Sequence, residues 1–161
     1  MIVKDVLSAV AAARSPLVLT ERTEHLRLLE AALAPHVPHL LVLKGGMGAK
    51  QRKHVAGQLA NIPTDESRVV LAIGRYAGEG FDDARLDTLF LALPISWRGT
   101  LQQYVGRLHR LFEGKSEVQV YDYVDVNLPM LVRMYEKRLK GYRAMGYAAK
   151  DGEGGCVMES A

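Results

Sequence analysis

Short apolar segments alternate with amphipathic helices along most of this chain. The apolar segments are predicted strands, and they cover residues 17–20, 39–44, 67–73, 88–92 and 117–123. The spacing of apolar residues predicts helices over 2–14, 21–33, 49–60 and 128–145, with a further helix within 99–110. Right-handed crossovers of this kind connect the strands of one parallel sheet. The sequence therefore predicts a three-layer α/β domain with a central parallel sheet of about five to six strands.

The end of the chain lacks this alternation. From Lys150 onwards it is rich in glycine and acidic residues and shows no apolar periodicity, which is typical of disorder. We therefore predict one domain over residues 1–147 and a disordered tail over 148–161.

Composition indicates the compartment and argues against a membrane partner. A net charge of +3 and a pI near 9.0 favour a polyanionic partner only mildly. The single cysteine, Cys156, excludes an internal disulfide and favours a reducing, cytoplasmic compartment. No signal peptide and no apolar segment of about 18 residues is found, so we expect no membrane span. The histidines show no metal-ligand spacing, so no metal ligand is expected.

Residues 99–110 carry the most specific pattern in the chain. On a helix, positions three, four and seven apart share a face, and this face carries Gln103, Gly106, Arg107 and Arg110. The opposite side is largely apolar, so it can dock while the arginines point outwards. Two guanidinium forks held together suit a phosphate group better than isolated lysines do. The alternative interpretation is a solvated basic face.

A glycine-rich segment, residues 44–51, follows a predicted strand and precedes a predicted helix. It is not a Walker A loop, because that pattern requires glycine at 44 and 49 and a hydroxyl at 51, where the chain has Lys44, Ala49 and Gln51. The amides at the helix start could hold a backbone phosphate of a nucleic acid beside Lys44. A plain structural turn is the alternative.

Two later stretches together resemble motifs V and VI of the superfamily-2 helicases and related nucleic-acid-dependent ATPases. Gly80-Phe81-Asp82 stands where the family has glycine, an aliphatic residue and aspartate, and residues 103–110 fill the pattern Gln-x-x-Gly-Arg-x-x-Arg. Residues 15–22 and 43–52 are similar to motif IV and the segment after it. The chain thus resembles the C-terminal, second RecA-like lobe of a DEAD/DEAH-type helicase. The residues before Gly106 favour the restriction-enzyme-subunit-like branch over the DEAD-box branch.

The resemblance implies a role for each matching residue. Arg107 and Arg110 would be arginine fingers on ATP and Mg held by an N-terminal RecA-like lobe, and Gln103 would couple the nucleotide to the helix. Asp82 would contact the nucleotide, with Gly80 in the tight turn. The resemblance also implies contacts to the nucleic-acid backbone for Thr20, Gly46, Arg52, Gly74 and Arg75. The exposed amides at the start of the predicted helix add Lys44 to this group. Ile73 replaces a threonine common in the family, so Arg75 or a backbone amide would make that phosphate contact.

The predicted function is the second motor lobe of an ATP-dependent helicase or translocase, with DNA favoured over RNA. These residues contain neither the phosphate loop nor the acidic metal box of a first lobe, so we expect no ATP hydrolysis by the isolated chain. A stand-alone nucleic-acid-binding or regulatory module is the first alternative. The second is a simple nucleotide-binding α/β protein, which would bind ATP tightly by itself.

Overall fold

The computed structural model describes residues 1–74, 83–95, 98–152 and 155–160. Within these ranges the strands are β1 (Pro16–Thr20), β2 (His39–Leu43), β3 (Arg68–Ile73), β4 (Thr88–Leu91), β5 (Gln119–Asp122), β6 (Tyr147–Gly152) and β7 (Gly155–Ser160). The helices are α1 (Ile2–Ala11), α2 (Thr23–Leu33), α3 (Ala49–Asn61), α4 (Arg98–Leu108) and α5 (Pro129–Ala144). None of the helices in these ranges is both long and apolar enough to cross a membrane.

The strands form one sheet in the order β2-β3-β1-β4-β5-β7-β6. The first five pair in parallel, whereas β7 is antiparallel to both β5 and β6. Every residue of β1 and β3 is buried, as expected of central strands covered on both faces. The predicted α/β class with a central parallel sheet is therefore confirmed.

Helices cover both faces of the sheet, and alternation along each strand divides the core between them. Val18 of β1 joins α1 and α2 in one cluster, together with Leu26 and Phe90. Leu17 and Leu19 point the other way, into a cluster shared with α3, α4 and α5. Helix α4 is thus fixed to the sheet by its own apolar side chains.

Strands β6 and β7 pair as an antiparallel hairpin, whereas the sequence predicts a disordered tail over 148–161. Strand β7 pairs with β5, with Met158 opposite Val120, and β6 pairs with β7. Tyr147 and Met158 are only 4% and 1% exposed, so the hairpin extends the core. Local periodicity missed it because the hairpin is stabilised by the edge of β5, a partner that only the folded sheet supplies.

Shortening Met158 to alanine is expected to lower the free energy of unfolding by about 2–5 kcal/mol, the usual cost of truncating a buried methionine. Met130, which is 62% exposed, is the matched control. We expect Met130→Ala to change stability by less than about 0.5 kcal/mol. Chemical denaturation of the 161-residue chain measures both variants. Equal stability of Met158→Ala and the wild type would mean that the hairpin does not pack.

Candidate functional site

Helix α4 separates a buried apolar face from an outward face that carries the arginines. The buried side chains are Leu101, Tyr104, Val105 and Leu108. On the outward side, Gln103, Gly106 and Arg110 are exposed and Arg107 is half-buried. The prediction that the apolar side docks is confirmed. Arg110 is exposed, whereas Arg107 is half-buried and its Nε is buried. Arg110 differs from the prediction in one respect, because the helix ends at Leu108 and Arg110 lies in the turn that follows.

Tyr104 anchors α4 to the carboxyl edge of the sheet. Gly74 directly follows β3, and a Cβ atom placed on it would lie 2.8 Å from Tyr104 Oη and 2.9 Å from Glu21 Oε1. Glu21 follows β1, whose Thr20 is in register with Ile73 of β3. Glycine at 74 therefore lets the tyrosine hydroxyl and the carboxylate both approach the backbone at the end of β3. The sequence analysis assigns Tyr104 only an apolar role and assigns no individual role to Glu21.

The charge of Arg107, one helical turn further along, also acts on the pKa of the Tyr104 hydroxyl. Burial raises the pKa of Tyr104, the Glu21 carboxylate raises it further, and the Arg107 guanidinium opposes both. Glu21, Tyr104 and Arg107 therefore share one electrostatic environment at this edge of the sheet.

Helix α4 runs back across the sheet from its carboxyl edge towards its amino edge. It begins after β4 and ends before β5, as the helix of a parallel crossover does. The carbonyl oxygen of Arg110 accepts a hydrogen bond of 3.0 Å from Lys115 Nζ, shortly before β5 begins. Arg107 is consequently the nearer of the two arginines to the carboxyl edge.

Thr20 is buried, although the resemblance implies a nucleic-acid contact at this position. Its side chain is 1% exposed, and its Oγ1 lies 3.0 Å from Nδ1 of His25. The hydroxyl therefore orients His25 and does not reach the surface. Glu21 and Arg22 are exposed beside it. Together with His25 they line a cleft of about 760 Å³ over the carboxyl ends of β1, β4 and β5.

Lys44, Gly46 and Arg52 lie where β2 passes into α3. Gly46 has a φ of 79°, in the left-handed region that favours glycine. Lys44 Nζ lies 2.8 Å from a carboxylate oxygen of Glu30, so α2 partly balances its charge. A groove of about 460 Å³ runs between β2 and α3 and is lined by Val42, Lys44, Met47, Lys50, Gln51, His54 and Val55.

The first turns of α3 are basic, and the whole helix contains no acidic residue. Lys50 and Lys53 are exposed, and Arg52 is half-buried. Positive side chains at a helix N-terminus oppose the helix dipole, so this charge does not serve the stability of α3. The charge instead makes this part of the surface attractive to phosphate groups.

Three of the predicted site residues, Arg75, Gly80 and Asp82, lie outside the described residues. Gly74 and Asp83 flank that segment, and Asp83 Oδ1 accepts a 2.8 Å hydrogen bond from Arg85 Nε. Across the described ranges, no group of histidine, cysteine, aspartate or glutamate side chains is arranged to hold a metal ion.

A buried ion pair that the sequence analysis missed joins α5 to β5 and to Ile95. Arg138 of α5 donates to both carboxylate oxygens of Asp122, at 2.7 and 2.8 Å, and the Tyr142 hydroxyl donates to the same carboxylate at 2.9 Å. Arg138 also donates to the carbonyl oxygen of Ile95. Arg138 lies four residues before Tyr142 on the inner face of α5, and this spacing is the sequence signal that could have identified the buried arginine.

No protein-family model matches the chain, and a comparison with curated protein sequences finds no match. Solved structures do match. T4 UvsW superposes with a TM-score of 0.69 and 14% identity over 89% of this chain and 31% of that one. The C-terminal part of the Fun30 ATPase domain superposes with a TM-score of 0.56 and 19% identity over 70% of this chain and 36% of that one. Domain 2 of the DEAD-box helicase Mss116p, bound to an RNA duplex, superposes with a TM-score of 0.48 and 11% identity. The match covers 73% of this chain and 48% of that one.

The chain thus spans about a third of the length of the first two of these structures. Identities this low concern the fold, and the shared feature is a mostly parallel sheet covered by helices. The chain therefore has a RecA-like α/β fold, similar to the fold of T4 UvsW and of the Fun30 ATPase domain.

Proposed function

We propose that this chain is the second motor lobe of an ATP-dependent nucleic-acid helicase or translocase. The observation that carries the proposal is the outward face of α4, where Arg110 is exposed and Arg107 half-buried while the opposite face is buried. In this proposal both arginines stabilise the charge on the transferring phosphate of ATP. The ATP and its Mg are held by an N-terminal RecA-like lobe. Gln103 couples the nucleotide to α4, and Gly80 and Asp82 contact it.

Gly106 supports a close neighbour on this face. Glycine inside a helix costs about 1 kcal/mol relative to alanine, yet a Cβ atom at this position would meet nothing within 4 Å in this chain. The packing of the domain therefore does not require glycine here. A surface that approaches the backbone of α4 beside Arg107 explains the residue, and in the proposal that surface is the nucleotide with its lobe.

Replacing Gly106 with alanine is expected to stabilise the 161-residue chain by up to about 1 kcal/mol. In the protein that carries both lobes, the same change is expected to lower ATP turnover about 10- to 100-fold, because it displaces the nucleotide from the arginines. Denaturation and steady-state phosphate release measure the two effects. The 161-residue chain alone, expected to release no phosphate, gives the baseline.

Gly57 provides the matched control for this experiment. It is exposed inside α3, and a Cβ atom there also meets nothing within 4 Å. Gly57→Ala should stabilise the chain equally and leave turnover unchanged. A Gly106→Ala protein that is stabilised and fully active would contradict the proposal.

In the proposal, nucleic acid lies along the carboxyl edge near β2 and α3. Lys44, Gly46 and Arg52 lie there, and Gly74 with Arg75 follows the adjacent strand β3. The basic start of α3 supports this placement, because its charge does not stabilise the helix. Thr20 contributes by orienting His25. DNA is the favoured substrate and the restriction-enzyme-subunit-like branch the favoured relative, because the residues before Gly106 differ from the DEAD-box pattern.

A stand-alone nucleic-acid-binding or regulatory module is the second candidate function. The basic surface of α3 favours it, since phosphates could bind there without ATP. This candidate predicts that Gly106→Ala and the arginine variants leave nucleic-acid binding unchanged and that no partner lobe gains ATP turnover from this chain. Phosphate release that depends on Arg107 would exclude it.

A further inference from the structure

Lys115 bridges the residues that precede β4 and the turn that carries Arg110. Its Nζ donates hydrogen bonds of 3.0 Å to the carbonyl oxygen of Ala84 and of 3.0 Å to that of Arg110. Ala84 lies just after Asp82 in the chain, and Arg110 is the second arginine of the proposed pair. One ammonium group therefore joins the residues that precede β4 to the end of the arginine segment.

The surroundings of Lys115 favour a fixed position for this ammonium group. Gly114 has a φ of 83°, and the Lys115 amide donates to the carbonyl oxygen of Phe112 at 3.2 Å, so a tight turn directs the side chain back towards α4. A cation beside the last carbonyl groups of a helix is favourable. Burial lowers the pKa of Lys115, and the carboxylates of Asp87 and Asp83 oppose that shift.

The residues beside Ala84 continue the link to α3. Asp83 accepts a 2.8 Å hydrogen bond from Arg85 Nε. The two terminal nitrogens of Arg85 donate to the carbonyl oxygens of Ile62 and Leu59, at 2.9 and 2.7 Å, at the end of α3. Arg85 thus contacts the last turn of α3, and Lys115 joins its chain neighbour Ala84 to Arg110.

We infer that Lys115 is a positioning residue that holds Arg110 in a fixed place relative to Ala84 and, through the neighbouring Arg85, relative to the end of α3. The inference rests on the proposed function, because it assumes that Arg110 acts on ATP. Through this link, a movement of α3 when nucleic acid binds reaches the end of α4. ATP affinity is carried mainly by the other lobe. Lys115 therefore acts on kcat and on its stimulation by nucleic acid, and hardly on the KM for ATP.

Lys115→Met in the protein with both lobes tests the link, because it removes the ammonium group and keeps most of the stem. We expect kcat in the presence of nucleic acid to fall about 10- to 100-fold, while the KM for ATP changes less than about threefold. Lys115→Arg, which keeps a charged donor, should recover much of the loss. Lys137→Met, at an exposed position of α5, should change neither constant.

Amide hydrogen exchange in the 161-residue chain separates this link from general loss of structure. Lys115→Met should speed exchange in residues 83–86 and 106–110 and leave the central strands protected. Lys115→Gln replaces Lys115→Met if the methionine variant does not fold. Wild-type kcat, or unchanged exchange in both segments, would overturn the inference.

The arginine variants distinguish failure of the link from failure of the proposed function. If Lys115→Met is fully active while Arg110→Ala is inactive, the link is wrong and the motor-lobe proposal stands. If Arg107→Ala and Arg110→Ala both retain full turnover, the motor-lobe proposal itself is wrong, and the inference about Lys115 falls with it.

Discussion

Replacing Arg107 with alanine is expected to lower ATP turnover by about 10³- to 10⁵-fold in the protein that carries both lobes. The reason is electrostatic: an arginine placed against the transferring phosphate stabilises charge that develops only in the transition state. The side chain is half-buried on the outward face of α4, so the free energy of unfolding should change by less than about 1 kcal/mol. Arg110→Ala is expected to act in the same direction.

Two further variants make the Arg107 result specific. Arg107→Lys keeps the charge and loses the planar fork, so a large loss of turnover is still expected. Arg133→Ala removes an exposed arginine from α5 and should leave turnover unchanged. Steady-state phosphate release measures all the variants, with thermal unfolding as the check on folding. Wild-type turnover in Arg107→Ala would rule out a phosphate contact by this residue.

Breaking the buried pair between Asp122 and Arg138 is expected to destabilise the chain by about 3–5 kcal/mol. Asp122 is 0% and Arg138 is 3% exposed, so removing one partner leaves the other charge buried without its counterion. Arg138→Met is the variant of choice, because it keeps an unbranched apolar chain in the same space. It also removes the hydrogen bond to Ile95.

The double variant Asp122→Asn/Arg138→Met separates the charge from the packing. With no buried charge left, part of the stability should return. Tyr142→Phe removes one hydrogen bond to the carboxylate and should cost only about 1 kcal/mol. Chemical denaturation measures the free energy of unfolding of the wild type, of Arg138→Met, of the double variant and of Tyr142→Phe. An Arg138→Met protein as stable as the wild type would show that the ion pair does not hold α5 to the sheet.

Much of the fold could be predicted because its signals are local. Strands buried on both faces, such as β3 with its residues 69–73, contain continuous apolar runs in the sequence. The two faces of α4 follow from the spacing of its residues alone, and the burial of Tyr104 and Leu108 agrees with that spacing. Such features need no knowledge of what lies across the domain.

The remaining features depend on partners that are distant in sequence. The hairpin exists because β5 offers an open edge, and Met158 is buried only in that pairing. Thr20 ends β1 as predicted, yet its hydroxyl is hydrogen-bonded to the His25 ring and does not reach the surface. In the sequence Lys115 is an ordinary loop lysine. Its two partners, the carbonyl groups of Ala84 and Arg110, come close to it only in the folded domain. Spacing along a sequence carries no information about such contacts.

The decisive measurement is a structure of the protein with both lobes bound to ADP and aluminium fluoride, which stands in for the transferring phosphoryl group. We expect a guanidinium nitrogen of Arg107 or Arg110 within about 2.7–3.1 Å of a fluoride, at hydrogen-bond distance. Gln103 and Gly106 should face the same nucleotide. A closed complex in which both guanidinium groups point into solvent, away from the fluoride, would contradict the motor-lobe proposal.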